Sequence, residues 1–222
     1  MTTIILTSTV NINPQKYFIQ QTNKEERLVA YFKSIKQWLE KTKLNIVVVE
    51  NSGYQFEELA EERITYKDRF EIISFVESEL PHAARYFNNK IHITSKGASE
   101  LFAINYAYKN SLLIQEATFI IKVTCRYFVP ELEEYLSNIY LDYYDALRQN
   151  DKNFCEIVGC HKNKFNVVFQ PECINSEGYI MGHVEAIYDY RINTLCENVI
   201  ICQPFAIEPT KMGGVNLIRT EL

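Results

Sequence analysis

Residues 119–128 read Phe119-Ile120-Ile121-Lys122-Val123-Thr124-Cys125-Arg126-Tyr127-Phe128, followed at Pro130 by "PELEEYL". Five of the first seven side chains are apolar, with β-branched residues prominent, as in a strand covered on both faces. The run then ends in a threonine and an arginine. Pro130 opens a helix, where its missing N–H costs nothing. A strand that finishes in polar groups just before a helix is where open α/β sheets place ligands. This stretch therefore sets the fold class and also points to the functional edge.

Working outward, the same alternation recurs. "TTIILTSTV" is a short buried strand, and "KEERLVAYFKSIKQWLEKT" keeps its apolar residues at helical spacing. "LNIVVVENSGY" is a second buried strand, "YQFEELAEER" a short helix, and "RFEIISFVES" a third strand. "GASELFAINYAYKN" is a helix entered through Ser95-Lys96-Gly97, and the helix from Pro130 is expected to run to about Gln149. Four strand–helix repeats predict an α/β fold: a Rossmann-like, mostly parallel sheet sandwiched by helices. After Asp151 the pattern changes. "FCEIVG" and "KFNVVFQ" read as strands, "MGHVEAIYDYRINTL" as a helix, "NVIICQPF" as a strand and the tail as irregular. We expect one domain. Residues 1–150 form its ligand-binding half, and residues 151–222 form a mixed lobe built onto the sheet.

Composition narrows the partners. The chain has 222 residues, 47% of them apolar, enough for one substantial core. Net charge is −5, which argues against nucleic acid and anionic membranes as general partners. No apolar run is long enough to span a bilayer. The N-terminus lacks a basic, signal-like start, so a cytoplasmic location is expected. Six cysteines in such a chain are expected to be reduced. Cys155, Cys160, His161 and Cys173 lack the tight paired spacing of a zinc ribbon and read as ordinary semi-buried residues.

Strand-tip geometry selects the candidate site without further knowledge. The first strand ends at Thr7-Ser8-Thr9, the second at Glu50-Asn51-Ser52, and the fourth at Thr124-Cys125-Arg126. Lys96 and Gly97 open a helix whose free amides favour an anion. Hydroxyls and a carboxylate at the early tips, with cations at the later ones, match a nucleoside diphosphate. No G-x-x-x-x-G-K-[ST] or G-x-G-x-x-G occurs, which weighs against P-loop kinases and dinucleotide dehydrogenases. Arg126 also has a structural alternative, an ion pair with Glu131 or Glu134. Glu185 and Asp189, four apart on one helix face, with His183 nearby, can serve an acceptor or solvate a helix face. Glu77 and Glu79 are spare acidic candidates at the third tip. The tyrosines of "YLDYYD" and "YDY" can stack on sugar rings or pack half-buried.

The segments "IILTSTVNI", "LNIVVVENSGY", "SKGASELFAINYAYKNS" and "FIIKVTCRYF" together resemble small GT-A-type glycosyltransferases of the bacterial surface-polysaccharide and large-virus kind. The resemblance implies polysaccharide biosynthesis, with a UDP- or GDP-sugar as donor and a glycan or glycolipid as acceptor. It falls on Glu50 and Ser52, on Lys96, Gly97 and Glu100, and on the Lys-x-Thr-x-Arg-Tyr run Lys122, Thr124, Arg126 and Tyr127; with the first strand tip, donor contacts are expected at Thr7, Ser8, Thr9, Glu50, Ser52, Lys96, Gly97, Glu100, Thr124 and Arg126. It places acceptor contacts at His183 and Asp189, and Glu185 as the base of an inverting transfer, ahead of a loop carrying Gly213 and Gly214. The chain departs from the pattern at one point. Thr124-Cys125-Arg126 stands where related families carry D-x-D, their ligand for Mn²⁺ or Mg²⁺. The expectation is a transferase that needs little or no metal, with Lys96 and Arg126 in the metal's place. A non-catalytic nucleotide-sugar-binding or scaffold protein of the same fold is the alternative.

Overall fold

The structure is a computed structural model and describes residues 1–14, 16, 19–80, 95–172 and 183–222. Its core is a seven-stranded sheet. The strands are β1 (Thr2–Ser8), β2 (Asn45–Glu50), β3 (Phe70–Ser74), β4 (Phe119–Thr124), β5 (Ala146–Arg148), β6 (Ile157–His161) and β7 (Val199–Ile201). Their spatial order is β3-β2-β1-β4-β6-β5-β7. The first four are mutually parallel. β6 runs antiparallel to both β4 and β5, and β7 is parallel to β5.

Alternation along β1 explains the two layers. Ile4 and Leu6 join one core, against α1 (Lys24–Lys41) and its fully buried Trp38. Ile5 joins the other, against α3 (Lys96–Asn110) and α7 (Val184–Leu195). The short helices are α2 (Ala60–Thr65), α4 (Leu112–Glu116), α5 (Leu132–Ser137) and α6 (Phe165–Val168). A separate hairpin, β8 (Ala206–Lys211) with β9 (Ile218–Glu221), closes the chain.

Pairing register aligns the strand ends. Ser8 lies opposite Glu50, Glu50 opposite Ser74, and Thr7 opposite Thr124. The reversed β6 begins where β4 finishes, and the Thr124 N–H donates to the Glu156 carbonyl at 3.0 Å. Cys155 and Glu156 thereby join the same edge. Residues beyond 151 supply β6 and β7 to the one sheet.

Three expectations are corrected. The helix after Pro130 stops at Ser137, and Ala146–Arg148 is a strand between β6 and β7. Ala146 and Leu147 are fully buried there, so the sheet overrides the helical spacing of the preceding tyrosines. "KFNVVFQ" is not a strand: Phe165, Val168 and Phe169 are its buried residues, the i, i+3, i+4 signature of helix α6. The tail is the β8–β9 hairpin rather than irregular chain. Among the described residues no helix is long and apolar enough to cross a membrane.

Candidate functional site

The residues expected at the strand tips fall into two groups. The first group is engaged within the protein. Glu50 has no exposed surface. Its carboxylate accepts from the Val10 N–H at 2.8 Å, the Ser52 N–H at 2.9 Å, the Tyr54 N–H at 2.8 Å, and the Ser52 hydroxyl. The Thr9 hydroxyl contacts the Asn51 side-chain oxygen at 2.6 Å, and the Ser8 hydroxyl donates to the Val49 carbonyl at 3.1 Å. Arg27, buried beneath, donates to the Thr9 and Gln21 carbonyls and to the Tyr31 hydroxyl. These contacts join the loops after β1 and β2. A carboxylate accepting several hydrogen bonds is a structural clamp with little capacity left for a ligand.

The second group converges around the start of α3. Ser95 caps that helix, its hydroxyl accepting from the Ala98 N–H at 3.1 Å. Lys96 and Glu100, one turn apart, share a face. The Glu100 carboxylate lies 2.9 Å from the Lys122 ammonium and receives the Thr7 hydroxyl at 3.3 Å. Lys96 is an exposed residue, yet partial burial of its ammonium lowers it below its ordinary range and Arg126 adds to this, while Glu185, Cys155 and Glu100 pull the other way. Lys96, Arg126, Glu100, Cys155 and Glu185 therefore share one electrostatic neighbourhood. Gly97 makes it so: a Cβ there would lie 2.4 Å from the Val184 Cβ, so the first turns of α3 and α7 touch.

Arg126 forms no ion pair among the described residues, neither with Glu131 nor with Glu134. Its Nε is buried without a hydrogen-bond partner. The guanidinium lies over the Tyr127 ring, 5.5 Å from its centroid. It abuts Gly213 in the turn between β8 and β9, where an added Cβ would lie 2.5 Å from the nearer guanidinium nitrogen. The Gly213 carbonyl accepts from the Gln20 N–H at 3.0 Å. The hairpin thus roofs the strand edge.

Glu185 is half-buried in the first turn of α7. His183 is the exposed residue capping that helix, without a side-chain capping bond. Asp189 lies one turn on and accepts from the Asn193 amide at 2.7 Å. Thr124 is partly exposed at the β4 tip. Tyr140 and Tyr143 are exposed, as is Tyr190.

The β4 tip does not fit the D-x-D metal role. Thr124, Cys125 and Arg126 offer no carboxylate, and burial pushes the Cys125 thiol far above its ordinary range. Among the described residues, no three His, Cys, Asp or Glu side chains converge as metal ligands. Glu77 is instead tied to Lys16 at 3.4 Å and to the Asn51 amide at 3.3 Å. Cys125, Cys155, Cys160, Cys196 and Cys202 are free thiols, all buried. Cys173 lies outside the described residues.

Sequence reasoning passed over Lys122 as a partner of Glu100, Cys155 as part of the site, and Lys16. The one available signal was a lysine inside an apolar strand, since a buried cation requires a nearby acceptor.

No family model matches the chain, and no curated protein matches it. Solved structures do. The galactosyltransferase LgtC, in a complex with donor and acceptor sugar analogs, is 10% identical. It aligns over 90% of this chain and 73% of its own, with a TM-score of 0.54. The TarS fragment 1–349 of S. aureus is 10% identical over 90% of this chain, with a TM-score of 0.51. This chain spans 57% of that fragment and 35% of the longer TarS structure, where the TM-score is 0.52. At this level of identity the likeness is one of fold: the chain has the GT-A-like, Rossmann-like α/β fold of these glycosyltransferases.

Proposed function

We propose that this protein is a cytoplasmic glycosyltransferase of polysaccharide biosynthesis. It moves a hexose from a UDP- or GDP-sugar to a glycan or glycolipid acceptor. The observation that carries this reading is the Arg126 guanidinium. It is half-buried and forms no ion pair among the described residues, with its charge favoured against burial by Tyr31, Tyr127 and Glu156, and it acts on Lys96 at the start of α3. Arg126 disfavours the charge on Lys96, and a bound anion relieves that repulsion. A helix N-terminus adds amide donors to the same place.

When the bond between the anomeric carbon and the diphosphate oxygen breaks, negative charge grows on the leaving diphosphate. In this proposal Lys96 and Arg126 stabilise that charge in place of a metal. Glu185, across the Gly97–Val184 seam, takes the acceptor hydroxyl's proton in an inverting transfer. His183 and Asp189 mark the acceptor side. Thr7, Gly97, Glu100 and Thr124 line the donor. Ser8, Thr9, Glu50 and Ser52 shape the loop that receives the nucleoside, with Glu50 acting through that loop.

The test is nucleotide release from UDP-, GDP-, CMP- and dTDP-sugars in EDTA, with and without glycan acceptors. The proposal expects release from one nucleotide class, reduced about 100-fold or more in Arg126→Met, the usual scale for losing one such stabilising group. Binding with neither hydrolysis nor transfer in any condition would favour the non-catalytic alternative.

A further inference from the structure

Lys122 is a fully buried charge inside β4. It has no exposed surface, and its ammonium donates to the Cys155 carbonyl at 2.6 Å. Its other close contact is the Glu100 carboxylate at 2.9 Å. Glu100 is different: its side chain keeps 19% of its surface exposed. Its second oxygen is held by the Thr7 hydroxyl at 3.3 Å. One strand residue from β1 and one from β4 thus pin a carboxylate that belongs to α3. They hold its Oε1 in a buried position while the side chain as a whole stays partly exposed, one turn from Lys96.

A carboxylate fixed on a partly exposed side chain carries acceptor lone pairs that its two anchors do not use up. Hydroxyl groups are the ligands it suits, and their bonds to a carboxylate are short and charge-assisted. A phosphate is not, because like charges repel. Beside a diphosphate site, the hydroxyl-bearing part of a nucleotide sugar is the sugar ring. We infer that Glu100 accepts hydroxyls of the transferred sugar, and that Lys122 is the buried positioning residue that fixes Glu100 for this role. The inference rests on the nucleotide-sugar reading above.

The two can fail separately. Dissociation constants are measured for UDP and UDP-glucose, with GDP and GDP-mannose as the parallel pair, on wild type, Lys122→Met, Lys122→Arg and Thr7→Val. Wild type is expected to prefer the nucleotide sugar over the bare diphosphate in one pair. Lys122→Met is expected to cut that preference about tenfold while changing diphosphate affinity less than threefold, with Lys122→Arg restoring part of it. A general loss of structure would weaken both ligands together. If Lys122→Met does not fold, Thr7→Val, which removes the milder anchor, is expected to cut the preference about threefold. An unchanged preference in the folded variants overturns the inference and leaves the nucleotide-sugar reading standing. So does a wild type that binds a diphosphate without preferring the sugar form. A wild type that binds none of the four ligands overturns both.

Discussion

Gly97 and Val184 touch so closely that a Cβ on Gly97 would lie 2.4 Å from the Val184 Cβ. That contact joins the first turns of α3 and α7, and with them Lys96 and Glu185. Gly97→Ala is therefore expected to cost about 1–3 kcal/mol in urea unfolding, the range for overpacking. Adding Val184→Gly should recover part of the loss, which a double-mutant cycle would show. Simple additivity would mean that the seam does not couple the two helices.

The Lys122–Glu100 pair is asymmetric, since only Glu100 reaches solvent. Glu100→Leu strands a fully buried ammonium and is expected to cost about 3–5 kcal/mol. Lys122→Met leaves the carboxylate of a side chain that keeps 19% of its surface exposed, and is expected to cost clearly less. Equal losses in chemical denaturation would contradict the burial difference.

A pH dependence follows from Lys96. Burial first, then Arg126, lowers its pKa below 10.5, against the opposing pull of Glu185, Cys155 and Glu100. Its charge is fully present below the depressed value and is lost as pH rises through it. In the proposal that charge holds the diphosphate. Nucleoside-diphosphate affinity is thus expected to fall with rising alkaline pH, beginning below the usual lysine range. Lys96→Met should bind more weakly and show a flatter profile between pH 7 and 10. The same slope in both proteins would remove Lys96 from the diphosphate site.

Gly53 adopts φ +86°, and a Cβ there would meet a Val76 methyl carbon at 2.7 Å. Gly53→Ala is expected to lower stability by about 1–3 kcal/mol, the scale of left-handed backbone strain. The loop it shapes carries the Ser52 and Tyr54 amides that clamp Glu50. A neutral thermal-melt result would show that this turn tolerates a side chain.

How much of this was legible in the sequence differs by element. β1, β2 and β4 were readable because a strand covered on both faces is apolar along its length. α1 and α3 were readable from their spacing, and the start of α3 from Ser95 and Gly97. β5 was not, because Ala-Leu-Arg is too short to carry a period, and only its partners β6 and β7 make it a strand. The approximate location of the edge followed from strand ends alone. The division of labour along it did not. Glu50 looked like a ligand-binding carboxylate, but its partners are amides of its own and a neighbouring loop. Lys122 stood out only as part of the Lys-x-Thr-x-Arg-Tyr run, because nothing local shows that Glu100 comes within 2.9 Å of it. That contact spans two elements and exists only after folding.

The account turns on fixed cations holding the diphosphate. The most direct measurement is thermal unfolding with UDP-, GDP-, CMP- and dTDP-sugars and their nucleotides, in EDTA and in Mn²⁺, for wild type and Arg126→Met. A ligand bound only to the folded state raises the melting point. The account predicts that one nucleotide class stabilises wild type in EDTA, and that Arg126→Met abolishes most of the shift. No shift with any ligand, or a shift that appears only with Mn²⁺, would contradict it.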